Sequence, residues 1–418
     1  MTQKSPVTVN GRSYNWPSEP LVVICCDGSE PDYMEQARAR GLMPGLDAII
    51  EKGENLRGLS VVPSFTNPNN LSIVTGTPPA VHGISGNYFL DTETGEEVMM
   101  NDPKFLRAPT IFEAFQKAGA RVAVVTAKDK LRRLLGNNLA FDGTAVSFSS
   151  EKADEATLAG HGIENVCELV GMDVPEVYSA ELSEFVFAAG VKLLETFNPD
   201  LMYLSTTDYV QHKFAPDTDG ANAFYVMMDR YLGELDAAGA TIVLTADHGM
   251  KAKTNADGTP DVIYLQDQLD EWLGAGAAKV ILPITDPYVV HHGALGSFAT
   301  VYLDSSVDAQ AIADRIAALP GIHVVYDNAR GCKEFELPPE RLGDLIVVSR
   351  DSKVLGTREA EHDLSALKEP LRSHGGITEQ EIPIVVNRRT ADLHQPLRNF
   401  DAFAIGLNHV ARAAQAAE

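Results

Sequence analysis

Short apolar runs rich in β-branched residues alternate along the chain with stretches of helical periodicity. The apolar runs lie at 21–26, 121–125, 201–204, 241–244 and 382–386. The helical stretches lie at 110–118, 181–196 and 224–237, and each of them precedes one of the runs. Strands that alternate with helices are typical of βα units around a parallel sheet. The pattern therefore predicts an α/β fold with a mostly parallel central sheet flanked by helices.

The pattern changes between Gly249 and His374. Here an apolar run at 300–303, a helical stretch at 307–319 and two more runs at 323–326 and 345–348 form a compact β-α-β-β set. This set predicts an inserted, smaller α+β cap domain at 253–365, a size compatible with a small domain. The metal-binding core would then comprise 1–252 and 366–418. The alternative is that the same strands extend the main sheet.

Charge limits the partners that this chain can bind. Its 418 residues are 44% hydrophobic, enough for a large core, and carry a formal charge of −24 with a pI near 4.8. Nucleic acids and anionic membranes attract clustered Lys and Arg, so neither partner is expected. A small anionic substrate would need local positive charge, which bound divalent cations can supply.

The chain shows no pattern of a secretion signal or a membrane span. Residues 1–20 have no apolar segment after a basic one, and no apolar run approaches the ~18 residues that cross a bilayer. We therefore expect a cytoplasmic protein, and the sequence is compatible with a homodimer. The cysteines, Cys25, Cys26, Cys167 and Cys332, lack the spacing of a disulfide framework or a CxxC zinc site. Cys25 and Cys26 lie in an apolar run and are expected in the core.

Candidate metal ligands follow the predicted strands. In an open parallel sheet, ligands bind beyond the carboxyl ends of the strands. Four such strand edges offer carboxylate or imidazole groups toward one rim: Asp27, then Asp208 with His212, then Asp247 with His248, and finally His374 before the last strand. Three Asp and three His are enough for two metal sites with mixed oxygen and nitrogen ligands, which suits zinc.

Each of these features has a simpler interpretation when taken alone. A strand-end Asp is most often a turn former or a helix cap. The spacing of four between Asp208 and His212 places both on one face of a helical turn, which fits a surface pair equally well. Gly249 would let the backbone turn sharply, so that Asp247 and His248 face one centre.

A threonine lies at a predicted helix start. Pro68 favours the first turn of a helix, so a short helix at 69–74 is expected to begin beside Thr66. A hydroxyl at that position would face backbone N–H groups and the positive end of the helix dipole, where a phosphoryl oxygen also binds well. The alternative is that Thr66 is only the N-cap of this helix.

The order of the motifs resembles that of the alkaline phosphatase superfamily. The motifs are Asp27 after the first strand, Thr66 in SFTNPNNLSIVTG, GISGN at 83–87, TTDYVQH at 206–212, ADHGM at 246–250 and SHGG at 373–376. The likeness is strongest to the nucleotide pyrophosphatase/phosphodiesterase branch, and within it to members that hydrolyse phosphonoacetate. It spans nearly the whole chain outside the predicted cap.

The resemblance implies roles for individual residues. It implies two metal ions with separate ligand sets, one of Asp208, His212 and His374, the other of Asp27, Asp247, His248 and Thr66. It also implies that Asn87 donates a hydrogen bond to a phosphoryl oxygen. Gln211 stands where the diesterase branch usually has a glycine, and this departure weakens an assignment to nucleotide diesters.

Two lysines are candidates for substrate binding. Lys128 and Lys130 follow the run at 121–125, and lysines two positions apart on an extended loop can point the same way toward a carboxylate. The resemblance implies this role for both. The alternative is that both are solvated surface residues. For His291 and His292, an approach to the site from the cap and a place on the surface fit the sequence equally well, so they receive no role.

The expected activity is the hydrolysis of phosphonoacetate to acetate and phosphate. The resemblance implies a dizinc enzyme with a phosphothreonine intermediate at Thr66, and the ligand types allow Mn²⁺ or Fe²⁺ as well. The alternatives are a nucleotide pyrophosphatase/phosphodiesterase or a phosphomonoesterase of the same superfamily. A more distant alternative is a noncatalytic, metal-dependent protein that binds anions.

Overall fold

The computed structural model describes residues 4–285, 293–365, 367 and 369–411. Its strands, in chain order, are β1 (Val7–Val9), β2 (Arg12–Tyr14), β3 (Leu21–Cys25), β4 (Glu54–Leu59), β5 (Tyr88–Asp91), β6 (Glu96–Met99), β7 (Val122–Thr126), β8 (Ala145–Ser149), β9 (Leu201–Ser205), β10 (Thr241–Thr245), β11 (Lys251–Ala252), β12 (Val262–Tyr264), β13 (Ala278–Ile281), β14 (Phe298–Leu303), β15 (Ile322–Asp327), β16 (Leu345–Ser349), β17 (Val354–Gly356), β18 (Arg372–Ser373) and β19 (Glu381–Val386).

The helices lie mostly between these strands. They are α1 (Pro31–Ala39), α2 (Pro44–Lys52), α3 (Thr66–Thr75), α4 (Pro79–His82), α5 (Ile111–Lys117), α6 (Asp129–Leu135), α7 (Leu158–His161), α8 (Val166–Val170), α9 (Glu181–Thr196), α10 (Tyr209–Lys213), α11 (Asp219–Ala237), α12 (Leu265–Leu273), α13 (Ala309–Ala317), α14 (Asn328–Phe335) and α15 (Ala402–Ala404). Among the described residues, no helix combines the length and the apolar character needed to cross a bilayer.

A mixed sheet runs through the described chain with the strand order β4-β19-β10-β3-β9-β7-β8. The strands β10, β3, β9, β7 and β8 pair in parallel, and β19 runs antiparallel to both β10 and β4. Every residue of those five parallel strands is buried, as expected where helices cover both faces of a sheet. The prediction of a mostly parallel sheet flanked by helices is confirmed.

The apolar pattern does not predict two strands of this sheet, β4 and β8. Both lie at its edges. β4, with the sequence ENLRGL, contains several half-exposed and exposed residues, and edge strands often carry polar groups that discourage further pairing. β8, with the sequence AVSFS, is buried, but its serines interrupt the apolar run. The polar residues of these two edge strands therefore obscure the apolar pattern that predicts the central strands.

Alternate residues of β3 face two different apolar cores. Val22 and Ile24 pack in the core that contains side chains of α1, α2, α9 and α11. Val23 packs in the opposite core, with side chains of α3, α5 and α6. Cys25 and Cys26 continue this alternation as buried free thiols, so the prediction that both belong to the core is confirmed.

The predicted helices form, with shifts at their starts. The stretch at 181–196 is helical over its whole predicted length as α9. In α5, Thr110 is the N-cap residue, and its hydroxyl accepts a hydrogen bond from Glu113 N. α11 begins at Asp219 rather than at 224, because the Thr218 hydroxyl caps it by accepting a hydrogen bond from Ala221 N. Polar caps thus set helix starts that hydrophobic periodicity alone misses.

The predicted cap region contains a separate antiparallel sheet with the order β13-β14-β16-β15. The predicted strands at 300–303, 323–326 and 345–348 lie within β14, β15 and β16, and α13 occupies the predicted helical stretch. β13 was not expected from the pattern. The core of this sheet also includes Val62 and Phe65, which directly precede α3. The boundaries 253–365 for a cap and 1–252 with 366–418 for a core stay a prediction.

A buried ion pair joins segments from both sides of that boundary. Lys253 Nζ lies 2.8 Å from Glu379 Oε1, and both side chains are fully buried. Lys253 also donates to the carbonyl of Asp351 at 2.6 Å. The second Glu379 oxygen accepts a hydrogen bond from Gly376 N at 2.9 Å. The pair therefore anchors the SHGG loop against the segment that follows β11.

Replacing Lys253 should destabilise the protein strongly. The change Lys253→Ala leaves the Glu379 carboxylate buried without its cation, which typically costs about 3–5 kcal/mol of unfolding free energy. Chemical denaturation followed by circular dichroism measures this loss. Lys104→Ala is the matched control, since Lys104 pairs with Asp102 at an exposed position, where removal costs less than about 1 kcal/mol. Equal, small losses for both variants would contradict the prediction.

Candidate active site

The carboxyl ends of three neighbouring parallel strands carry candidate ligands. Asp27 lies two positions after β3, Asp208 lies three positions after β9, and Asp247 and His248 follow β10. The backbone N–H of Asp27 donates to Thr206 Oγ1 at 2.9 Å, which ties the ends of β3 and β9 together. The parallel register therefore brings residues that are far apart in sequence to one edge of the sheet.

Two glycines shape these strand ends in different ways. Gly28 has a φ of +68°, and a Cβ atom there would lie 2.9 Å from the Cβ atom of Asp208. Glycine is thus needed for both its conformation and the close approach. Gly249 does not have a positive φ, so a left-handed backbone conformation is not the reason for this glycine. A Cβ atom at Gly249 would lie 3.1 Å from that of Glu30, and close packing accounts for the glycine.

The first predicted ligand set is assembled in the structure. The Nε2 atoms of His212 and His374 lie 2.9 Å and 3.6 Å from Asp208 Oδ2. One ligand atom from each of these three residues lies within 4.8 Å of the other two. Asp208 directly precedes α10 and His212 lies on it, which is the helical spacing of four that the sequence indicates.

Of the second predicted set, Asp27 and His248 lie in one group with Asp208, and Asp247 lies beside His248. The group whose ligand atoms lie within 4.8 Å of one another consists of Asp27, Asp208 and His248. His248 Nε2 lies 3.2 Å from Asp27 Oδ1 and 3.8 Å from Asp247 Oδ2. Asp208 therefore belongs to both groups, which the motif order does not reveal. The imidazoles of His248 and His374 stack with their centroids 3.6 Å apart.

Each histidine is oriented by a backbone carbonyl. The Nδ1 atoms of His212, His248 and His374 lie 2.8, 2.9 and 2.7 Å from the carbonyl oxygens of Arg372, Gly249 and Ser64, respectively. A carbonyl can only accept, so each Nδ1 carries a proton, and each Nε2 is the ring nitrogen directed at the carboxylates. Imidazoles that ligate metals usually donate their other ring N–H group to a carbonyl or carboxylate in this way.

Asp247 is held by three donors. Its Oδ1 atom accepts hydrogen bonds from the backbone N–H groups of Gly28 and His248 at 3.2 and 3.0 Å. Its Oδ2 atom accepts one from Asn70 Nδ2 at 3.1 Å. The Asn70 carbonyl oxygen in turn accepts from the hydroxyl of Tyr203 at 2.7 Å. The carboxylate is therefore fixed in a buried position beside Asp27.

The donor set fits a divalent cation. Asp27 Oδ1 and His248 Nε2 are buried and have no hydrogen-bond partner. Buried polar atoms without partners cost free energy, and they are rare unless an ion or water satisfies them. When His248 Nε2 carries no proton, both atoms are acceptors, and they lie 3.2 Å apart. A cation between them would satisfy both.

The electrostatics of the site also require positive charge. Burial raises the pKa of Asp27 well above its usual value, and the charges of Asp208 and Asp247 raise it further. Burial likewise raises the pKa of Asp247. Burial, with the neighbouring His248, lowers the pKa of His374 well below its usual value, so that this imidazole stays neutral. Clustered carboxylates beside a neutral imidazole suit a metal ion, because an added cation favours the ionised form of each carboxylate.

Thr66 is the first residue of α3, and Phe65 is the N-cap residue. The prediction of a helix that starts beside Thr66 is confirmed, and the alternative that Thr66 is merely the N-cap is wrong. Its side chain lines the same cavity as Asp27 and Asp208. A hydroxyl at this position lies at the positive end of the helix dipole of α3, which favours negative charge.

The cavity in front of Thr66 is small. Its volume is about 190 Å³, below the roughly 300 Å³ at which pockets for drug-sized ligands begin. Asn87 lines it, and its Oδ1 atom accepts a hydrogen bond from Asn67 N at 3.1 Å. This bond orients the amide so that the Nδ2 donor is turned away from Asn67. The walls also include Asn101, Glu151, Thr207, Tyr178 and Tyr209.

Lys128 and Lys130 both line this cavity, but not as residues of an extended loop. Lys128 is the N-cap residue of α6, and Lys130 lies in the first turn of that helix. A lysine in the first turn is unfavourable toward the helix dipole. Asp129 N donates to Glu151 Oε2 at 2.8 Å, which fixes the segment between the two lysines.

Several residues of the site are missed by the sequence analysis. Asn70 and Ser64 lie inside the motif around Thr66, and Arg372 lies two positions before His374. Their closeness to these motifs is the sequence feature that could have pointed to them. Tyr178 carries no motif signal, because its segment has neither regular periodicity nor a strand end. His291 and His292 lie outside the described residues.

This chain is similar to proteins of a known family. The model of the type I phosphodiesterase/nucleotide pyrophosphatase family matches residues 21–377. An uncharacterized pyrophosphatase/phosphodiesterase of Schizosaccharomyces pombe is 26% identical over 248 residues, which cover 59% of this chain and 44% of that protein. The alkaline phosphatase PhoV of Synechococcus elongatus is 24% identical over 321 residues, covering 55% of this chain and 58% of that protein. The chain thus matches about half the length of these relatives.

Solved structures give a fuller match. Phosphonoacetate hydrolase from Sinorhizobium meliloti 1021, in complex with phosphonoacetate, is 64% identical with a TM-score of 0.95, and the match covers 98% of this chain and 100% of that one. Murine ectonucleotide pyrophosphatase/phosphodiesterase 5 is 18% identical with a TM-score of 0.63, covering 92% of this chain and 93% of that one. The second likeness concerns the fold alone. Since the family model covers most of the chain, including the strand-end motifs, the chain belongs to the type I phosphodiesterase/nucleotide pyrophosphatase family of the metal-dependent alkaline phosphatase superfamily.

Proposed function

We propose that this chain hydrolyses phosphonoacetate to acetate and phosphate. The observation that carries the proposal is its 64% identity, over 98% of its length, to the Sinorhizobium meliloti enzyme whose structure contains phosphonoacetate. The site supports it, because candidate metal ligands, a helix-terminal threonine and two lysines line one small cavity. A substrate with a phosphoryl group at one end and a carboxylate at the other matches this distribution of charge.

The proposed cofactors are two zinc ions. One would be held by Asp208, His212 and His374, the other by Asp27, Asp247, His248 and Thr66. Bound divalent cations supply positive charge that stabilises the phosphoryl group as negative charge builds up on it. Mn²⁺ and Fe²⁺ remain compatible with these nitrogen and oxygen ligands.

Thr66 is the proposed nucleophile. Its oxygen attacks phosphorus, the P–C bond breaks, and the phosphoryl group is transferred to the threonine. The position of Thr66 in the first turn of α3 places the transferred group at the positive end of the helix dipole. Asn87 Nδ2 adds a further hydrogen bond to a phosphoryl oxygen. Water then hydrolyses the phosphothreonine, which releases phosphate and restores the hydroxyl.

The leaving group explains the need for the lysines. Breaking the P–C bond leaves an electron pair on carbon, which is unstable unless it delocalises into the adjacent carboxylate. Lys128 and Lys130 are proposed to bind this carboxylate and to stabilise the enolate-like charge until carbon takes up a proton, giving acetate. The lysines would therefore contribute to both specificity and rate.

A nucleotide substrate is the second candidate that the family suggests. Nucleotides would need more room than a cavity of about 190 Å³ offers, together with an aromatic face for the base. Tyr178 and Tyr209 line the cavity, but Lys128 Nζ lies over the Tyr178 ring, 5.3 Å from its centroid. That face is therefore covered by a lysine that would bind a carboxylate. This contact favours the small phosphonate.

The partners expected from the sequence remain part of the proposal. They are a small anionic phosphonate, with no nucleic acid and no membrane, and a homodimer is compatible with the chain. The cytoplasmic location also stays a prediction.

Replacing Lys128 should lower activity on phosphonoacetate, which has a poor leaving group, much more than activity on an aryl phosphate ester, which has a good one. Lys128→Ala should lower kcat/KM for phosphonoacetate by about 10²–10³-fold, because the enolate-like charge loses its main counter-charge. It should lower kcat/KM for p-nitrophenyl phosphate by less than about tenfold, since that leaving group needs little help. Phosphate release with zinc measures both. Lys192→Ala, at an exposed pair with Glu195, is the control. Equal losses on both substrates would refute the role of Lys128.

Asn70 should tune metal affinity without being a ligand. Asn70→Ala removes the donor that holds Asp247, and losing such a second-shell bond typically weakens metal binding about 10–100-fold. Competition with a chromophoric chelator measures the zinc affinity of the purified apoprotein. Asn255→Ala, in an exposed turn, should leave it unchanged. Unaltered zinc affinity in the Asn70 variant would rule out this role.

Thr66 should carry the phosphoryl group during turnover. Rapid acid quench followed by peptide mass spectrometry should detect phosphate on the peptide containing Thr66. Thr66→Val keeps the shape but removes the nucleophile, and should lower kcat by a factor of about 10³ or more. Thr66→Ser should retain much more activity and carry the phosphate on serine. The absence of any phosphorylated peptide, together with an active Thr66→Val variant, would exclude covalent catalysis.

Full activity after exhaustive chelation would separately exclude a metal-dependent reaction.

A further inference from the structure

Tyr178 forms part of the cavity wall beside Lys128. It lies between α8 and α9, and its side chain is 43% exposed. Lys128 Nζ lies 5.3 Å from the centroid of the Tyr178 ring and donates a hydrogen bond to the carbonyl of the preceding residue, Val177, at 3.4 Å. Two neighbouring residues of one segment thus contact the same ammonium group.

The Tyr178 ring also contacts the helix that carries His212. Its centroid lies 6.0 Å from that of Tyr209, with the ring planes tilted by 42°. Tyr209 is the first residue of α10 and directly follows Asp208. Both rings line the cavity. The 177–178 segment is therefore supported on one side by the metal-ligand helix and contacts Lys128 on the other.

We propose that Tyr178 is a positioning residue for C–P bond cleavage, acting through Lys128; this rests on the proposed hydrolysis of phosphonoacetate. The face of an aromatic ring attracts an ammonium group. A lysine side chain has many rotamers, and fixing it costs conformational entropy. Tyr178 and the Val177 carbonyl restrict Lys128 before the substrate binds. The ammonium is then already directed at the place where the substrate carboxylate develops negative charge.

The role belongs to the ring rather than to the bulk of the side chain. A phenylalanine would keep the negative ring face and the contact with Tyr209. A leucine would keep apolar bulk but would not attract the ammonium. The requirement also depends on the leaving group, because an aryl phosphate ester needs little help from Lys128. These two contrasts distinguish positioning of Lys128 from a general structural role.

The test compares Tyr178→Leu and Tyr178→Phe on two substrates. Tyr178→Leu should lower kcat/KM for phosphonoacetate by about five- to thirtyfold, the range expected for losing a cation–π contact that is partly shielded from water. Most of the loss should appear in kcat, since the contact matters most as the carboxylate gains charge. Its kcat/KM for p-nitrophenyl phosphate should stay within about threefold of wild type. Tyr178→Phe should stay within about threefold on both substrates.

A matched control removes a cation–π pair elsewhere. Tyr326 lies in β15 of the smaller, antiparallel sheet. The guanidinium group of Arg330 lies over its ring, 4.4 Å from the ring centroid. Tyr326→Leu should change neither activity. Equal losses on both substrates for Tyr178→Leu, or equal losses for Tyr178→Leu and Tyr178→Phe, would overturn the inference while leaving the proposed function intact. A wild-type enzyme that releases no phosphate from phosphonoacetate would overturn both.

Discussion

Three carboxylates, Asp27, Asp208 and Asp247, lie together at the carboxyl edge of the central sheet, and their repulsion is the constraint on which the site depends. Burial raises the pKa of Asp27 and of Asp247. Burial opposes the charge on Asp208 as well, but its contacts with His212 and His374 lower its pKa well below the usual value. A site with this balance is poised to accept cations, because they remove the repulsion that burial intensifies.

The scaffold holds the ligands against this repulsion with neutral groups. Backbone carbonyls hold the three imidazoles, and backbone N–H groups together with Asn70 hold Asp247. Neutral partners orient a ligand without neutralising it, so the charge remains available to a cation. The overall charge of −24 is no obstacle to an anionic substrate under these conditions. Lys128 and Lys130 place positive charge at the cavity, and cations bound at the candidate metal sites would add to it.

Residues far apart along the chain complete the site. The carbonyl of His374 accepts a hydrogen bond from Ser297 N at 2.9 Å, and the hydroxyl of Ser373 donates to the carbonyl of Leu295 at 2.6 Å. Gly375 has a φ of +118°, and a Cβ atom there would lie 2.3 Å from a ring carbon of Phe65. The SHGG loop is thus packed between the start of α3 and the segment that leads into β14. The segment that leads into this smaller sheet supports the candidate ligand His374 through these contacts, and the core of the sheet includes Phe65.

The sequence by itself determined the central strands, the residues at their carboxyl ends and the helix that starts at Thr66, because local periodicity and motif order carry that information. It did not reveal the edge strands β4 and β8, whose polar residues obscure the apolar pattern. Only the tertiary structure decided that Asp208 lies between both ligand groups and that the carbonyl of Ser64 orients His374, 310 residues away. The same holds for the contact of Tyr178 with Lys128. Such contacts arise from the packing of distant segments, and no local preference of the chain encodes them.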